Sequence, residues 1–171
     1  IDYGAEVYLE KPFNVDELKL RVRKLLDQRM ILQKAYANKL GIQTFSKEIT
    51  NKEEKTHYDD IVLPQLENVF VKKVTLEIEA QLSNESFSVE QLARNLFMSY
   101  SQLQRKLNAL IGMSPNHFIR HLRLQKSKQL LGNTDDTILN ISMNCGFSDP
   151  SYFAKVFKQE FGITPQEWRN K

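Results

Sequence analysis

Apolar residues in the second half of the chain recur at helical spacing, and the whole pattern returns about 50 residues later. Val89, Leu92, Ala93 and Leu96 follow an i, i+3, i+4, i+7 stripe, and Ile138, Ile141, Ser142 and Cys145 repeat it. A second stripe follows each short one: Leu103, Leu107, Leu110 and Ile111 first, then Phe153, Val156, Phe157 and Phe161. On a helix these residues share one face, which leaves Ser101, Arg105 and Asn108 pointing the other way with Gln104 at the flank. The second copy turns out Ser151, Lys155 and Lys158, with Ala154 where the first has Gln104. A short helix, a tight turn and a second amphipathic helix predict a helix-turn-helix unit, here present twice.

Capping residues agree with these bounds. Ser88 followed by Gln91 reads as a capping box, and Asp149 before Pro150 places a good N-cap ahead of a residue suited to the first helical position. SYSQLQRKLNALIGMSP (residues 99–115) and DPSYFAKVFKQEFGITP (149–165) align without a gap, whereas the preceding short helices align one residue closer. The second turn therefore carries one extra residue. Before the first unit, Val69, Phe70, Val74, Ile78 and Leu82 predict a helix with a buried stripe. Between the units, Ser114 and Pro115 start a helix carrying Phe118, Ile119, Leu122, Leu130 and Leu131, with Gly132 as its expected end. Such a helix of roughly 17 residues spans about 25 Å, a plausible spacer between two heads that meet major-groove faces about 34 Å apart. Thr164, Pro165 and Glu167 start a last helix, with Trp168 packing the end of the domain.

Upstream the pattern changes. Helix formers dominate residues 15–40, with Leu18, Val22, Leu25, Leu32 and Tyr36 at alternating spacings of four and three, interrupted at Arg29, and Gly41 as a stop. Two readings stay open: a helix extended by a solvated tail, or a short coiled coil that pairs two chains. Residues 42–60 are polar, charged and aperiodic, as expected of a linker.

Composition narrows the classes. With 171 residues, 41% of them hydrophobic, the chain can hold one good core and some extra structure. No apolar run approaches a membrane span and no signal peptide opens the sequence, so no membrane contact and a cytoplasmic location are expected. The single cysteine, Cys145, occupies a buried-stripe position and reads as core. The net charge of +3 is small, but residues 83–131 hold Arg94, Arg105, Lys106, Arg120, Arg123, Lys126 and Lys128 against only Glu85 and Glu90. That concentration favours a polyanionic partner.

The run LARNLFMSYSQLQRKLNALIGMSPNHFIRHLRL, then LL, then ILNISMNCGFSDPSYFAKVFKQEFGITPQEWR, resembles the AraC/XylS class of bacterial transcription regulators over roughly the last hundred residues. The resemblance implies an all-α, seven-helix domain from residue 64 to 171, with two helix-turn-helix units joined by a central helix and each second helix entering the major groove. It assigns base reading to Ser101, Gln104 and Arg105 in the first unit and to Pro150, Ser151, Ala154 and Lys155 in the second. Tyr100, Asn108 and Lys158 complete the expected DNA-facing set. Double-stranded DNA is the implied partner and RNA polymerase a second candidate, with a homodimer through the 15–40 helix as a third; no cofactor, metal or catalytic residue is implied. One departure is Phe97, where such turns commonly carry Gly, as at Gly146. A bulky residue at positive φ is strained.

The opening segment YGAEVYLEKPFNVDELKLRVRKLL resembles the last strand and last helix of a response-regulator receiver domain. In that resemblance Lys11 contacts the phosphoryl group and Tyr8 is the aromatic that responds to it. The acidic pocket and phosphoacceptor then lie upstream of Ile1, which makes Tyr8 and Lys11 relics of a switch. This divides the chain into a receiver remnant (1–26), a helical connector and linker (27–63) and the DNA-binding domain, the output end of a two-component phosphorelay protein. Two other classes compete. His117 and His121, four apart, could bind zinc from one helix face, but no acidic or cysteine ligand lies close by in sequence and no general base stands between them. A helical protein-protein adaptor would use the same amphipathic helices but leaves the repeated Arg105 and Lys155 unexplained.

Overall fold

The structure, a computed structural model, describes residues 14–42 and 65–171. The expected receiver strand, with Tyr8 and Lys11, and the polar stretch after Ile42 lie outside the described residues. Among the described residues there are eight helices and no strand: α1 (Val15–Leu40), α2 (Gln65–Glu79), α3 (Val89–Asn95), α4 (Tyr100–Ile111), α5 (Pro115–Asn133), α6 (Ile138–Asn144), α7 (Pro150–Phe161) and α8 (Pro165–Arg169). Helices α2 to α8 are the seven of the expected domain.

Local chemistry sets most of these bounds. Asn14 caps α1 by accepting from the Asp16 N–H at 2.8 Å, and Gly41 ends it in the left-handed region at φ 67°. Reciprocal capping boxes open α3 (Ser88 with Gln91), α4 (Ser99 with Gln102) and α8 (Thr164 with Glu167). Gly132 does not end α5, which runs on to Asn133. Thr134 supplies the stop instead, its N–H and Oγ1 both donating to the Leu130 carbonyl at 3.0 and 2.8 Å, so no left-handed residue is needed.

Two apolar cores form on either side of α5. The first gathers Val74 and Ile78 of α2, Leu92 of α3, Leu103, Leu107 and Ile111 of α4, and Phe118 and Ile119 from the start of α5. Tyr36 and Ala37 of α1, with Ile42, belong to it as well, so the end of the connector helix packs inside the domain. In the second core Leu124 and Leu131 of α5 meet Ile141, Cys145, Phe147, Phe153, Val156 and Phe157. One expectation for α2 fails: Val69 is 63% exposed and Val71 is buried in its place. Val71, Val74 and Ile78 share a face at spacings of three and four, and Val69 lies about 200° round the helix from Val71.

Candidate nucleic-acid interface

Helix α4 buries Leu103, Leu107, Leu110 and Ile111 and leaves Tyr100, Ser101, Arg105 and Asn108 exposed, with Gln104 half-buried at the flank. Helix α7 buries Phe153, Val156 and Phe157 and leaves Pro150, Ser151, Lys155 and Lys158 exposed, with Ala154 half-buried. Every residue expected on the two outward faces is therefore at least partly accessible. Among the described residues no carboxylate lies within ion-pair distance of Arg105 or Lys155. Both cations are exposed.

The two turns have one backbone. Phe97 N–H donates to Arg94 O at 3.0 Å and Met98 N–H to Ala93 O at 2.9 Å; Gly146 N–H donates to Met143 O at 2.9 Å and Phe147 N–H to Ser142 O at 3.0 Å. This is the Schellman pattern of 5→2 and 6→1 bonds, which puts the residue after the cap in the left-handed region. Phe97 accordingly has φ 56° and Gly146 φ 77°. The extra residue of the second turn is Ser148, between Phe147 and the N-cap Asp149, whose carboxylate accepts from the N–H groups of Ser151 and Tyr152 at 2.8 and 3.2 Å.

What surrounds the turns differs. A Cβ on Gly146 would stand 2.4 Å from Leu82 O and 2.8 Å from the Arg123 guanidinium, so that glycine is required by contact as well as by φ. The Phe97 side chain is 93% exposed.

Several of the basic residues counted toward a polyanionic partner are held within the fold. Arg123 donates to Asn84 O at 2.7 Å from a half-buried position, and burial pushes its guanidinium below its ordinary range. Lys106 lies over the Phe70 ring at 4.2 Å, and Lys128 lies over Trp168 at 4.5 Å. The charge run thus overstated the outward field: Arg94, Arg105, Lys106 and Lys126 are its exposed members, with Lys106 lying along Phe70, while Arg120, Arg123 and Lys128 are half-buried. Sequence spacing alone gave no sign that Arg123 bridges the loop after α2 to the second turn.

The metal reading of His117 and His121 does not survive the geometry. His121 is fully buried, with Nδ1 2.7 Å from Glu160 Oε1 and Nε2 3.1 Å from Leu40 O, so both ring nitrogens are committed. Burial pushes the imidazolium form of His117 down, aided by nearby Arg120. Cys145 is core as expected, and burial raises its thiol to about 11, which keeps it protonated and unreactive at neutral pH.

Residues 92–171 match the family described as a helix-turn-helix domain. Over all 171 residues the chain is 33% identical to histidine kinase P4 of Formosa agariphila, of which it spans 12% of the length. The C-terminal domain of the two-component response regulator yesN from Fusobacterium nucleatum superposes with a TM-score of 0.55 at 26% identity, covering 59% of this chain and 98% of that one. The DNA-binding domain of the global transcriptional factor AdpA, solved in complex with a target DNA, superposes with a TM-score of 0.55 at 26% identity, covering 58% of this chain and 89% of that one. No described helix is long and apolar enough to cross a membrane.

Proposed function

We propose that the C-terminal part is a DNA-binding module of the AraC type, a reading supported by its match to a helix-turn-helix domain and its likeness to a domain solved on DNA, and that the chain is the output end of a cytoplasmic two-component protein that reads two successive major-groove segments. The observation that carries this reading is the pair of outward helix faces with exposed Arg105 and Lys155 at matching positions, neither of them in an ion pair among the described residues. Helix α5, at 19 residues, spans about 28 Å and keeps those faces on one rigid frame.

The two heads carry different loads in this proposal. Arg105 suits a guanine edge and Gln104 an adenine, with Ser101 beside them. Pro150 and Ala154 offer no polar side-chain atom, so α7 positions through Lys155 and backbone more than it specifies. A single-base substitution series across a bound duplex tests this. Strong preference opposite α4 and weak preference opposite α7 supports the reading, and equal information in both halves refutes it.

Alignment of the full chain with a histidine kinase, together with the likeness to a response-regulator output domain, supports the two-component role. In that role residues 1–26 close a receiver domain, whose last helix is the first part of α1, and Tyr8 and Lys11 belong to its switch. Assembly follows from the same helix. Leu32 and Tyr36 of the α1 seam are taken up by the domain core, while Val22 and Leu25 remain 47% and 44% exposed. This bare part of the seam pairs two chains when the receiver is phosphorylated, raising occupancy of adjacent sites by roughly 10² to 10⁴ through effective concentration. Sedimentation of the intact protein with and without phosphodonor measures it. If the phosphorylated protein stays monomeric, or if Val22→Glu with Leu25→Glu leaves its dimer intact, pairing through α1 is wrong.

A further inference from the structure

One buried polar residue stands where the two apolar cores meet. His121 lies on α5 between Ile119 of the first core and Leu124 of the second, with no exposed surface. Its Nδ1 is 2.7 Å from Oε1 of Glu160 on α7, and its Nε2 is 3.1 Å from the carbonyl oxygen of Leu40, the last residue of α1. A carboxylate and a carbonyl can only accept, so the ring serves both only by donating from both nitrogens. Only the imidazolium does that. Its position adds a second favourable term, because the terminal carbonyls of a helix attract a cation.

Three elements present charge or dipole to this ring. Glu160 comes from α7; His117 and Arg120 come from α5 itself, one turn and one residue away; α1 offers the Leu40 carbonyl, with Lys39 next to it in sequence. We propose that His121, doubly protonated, is the positioning residue that ties the end of the connector helix α1 to the second reading helix α7, fixing the second head relative to the first. The proposal rests on the two-segment reading above.

Both protons are needed. A ring that carried only one could donate to one acceptor and would leave the other buried oxygen facing a lone pair. On the acid side the link holds further than an ordinary carboxylate would, because the hydrogen bond from His121 keeps the Glu160 carboxyl below its usual range. Stability from that depressed group is present above the unfolded carboxyl pKa and is lost as pH falls through the folded one.

Two duplexes and the 171-residue chain test this: one duplex carries both segments and the other only the segment read by α4. The ratio of the two affinities isolates the second head from any general change in DNA binding. At one fixed pH near neutrality it should fall about fivefold or more from the wild-type chain to His121→Leu, which serves neither partner. Glu160→Leu, which leaves Nδ1–H without its acceptor, should lower the ratio too, while Glu160→Gln, whose amide oxygen can accept from Nδ1–H, should keep it near the wild-type value. A His121→Leu or Glu160→Leu ratio equal to the wild type, or a Glu160→Gln ratio as low as that of Glu160→Leu, overturns the proposal. If His121→Leu does not fold, the two Glu160 variants still decide. A wild-type chain that binds the two-segment duplex no better than the one-segment duplex overturns the two-segment reading and the positioning role with it, whereas a high wild-type ratio that none of the variants changes overturns the positioning role alone.

Discussion

The two helix-turn-helix units share a backbone and differ in nearly everything built on it. Both turns make the same pair of hydrogen bonds and place one residue in the left-handed region. In the second unit that residue is pressed against Leu82 O and Arg123, so only glycine fits; in the first the space is open and a phenylalanine stands there almost fully exposed. The cores differ too. The second is an aromatic run in which Phe147, Phe153, Phe157, Phe161 and Trp168 meet in sequence at ring separations of 4.6 to 6.2 Å. The first is mostly aliphatic, with Tyr36, Phe87 and Phe118 set among leucine, isoleucine and valine, and shares its space with α1, whose Gln33 amide donates to the carbonyls of Asn108 and Ala109 near the end of α4 at 2.9 and 3.1 Å. Turn geometry is thus a backbone property, while tolerance at the turn depends on what the rest of the fold brings against it.

Gly146 is where breaking this comparison should cost most. Gly146→Ala puts a Cβ into Leu82 O and Arg123 at a positive φ, and should lower stability by about 3 kcal/mol or more through combined clash and backbone strain. Thermal and urea denaturation measure it. A loss below about 1 kcal/mol would mean that the two turns are interchangeable after all.

Next comes the contrast in reading. Arg105→Ala should weaken binding by about 1 to 3 kcal/mol and relax preference at one base pair. Lys155→Ala should weaken all sequences alike and reduce the salt slope by about one. Titrations on a panel of duplexes at several salt concentrations separate the two patterns, and an Arg105→Ala chain with unchanged affinity and selectivity would remove Arg105 from the reading set.

At the first turn the sign reverses. Phe97→Gly keeps the backbone, relieves the left-handed strain of a bulky residue and removes exposed apolar surface, set against the greater freedom of glycine in the unfolded chain. A net gain of up to about 1 kcal/mol is expected in the melt. Destabilisation would show that the exposed ring has a stabilising contact in solution. Between the heads, Gly132→Ala serves as the control for glycine itself: a Cβ there meets nothing within 4 Å and α5 continues past it. Stability should rise by roughly 0.5 to 1 kcal/mol with DNA affinity unchanged.

Determined by the sequence alone were the features that depend on near neighbours. Helix period, caps and the repeat spacing placed both units, the buried faces of α4 and α7 and the outward Ser101, Arg105, Ser151 and Lys155, because each is decided within one or two helical turns. Phe97 stood out as a departure at a position where such turns commonly carry Gly, as at Gly146, but that its backbone is left-handed all the same was decided by the structure. Where distant segments meet, the sequence was silent or misleading. Gly132 looked like a stop until Thr134 took that role, and Val69 looked buried until the facing elements chose Val71. Arg123 and Lys128 looked like free surface charge but pack within the fold, and His121, half of a metal-like pair by spacing, joins α1 to α7 across partners 81 and 39 residues away in the chain. A long side chain in a helix has many neighbours within reach once the chain is folded, and only the packing of other elements selects which of them it meets.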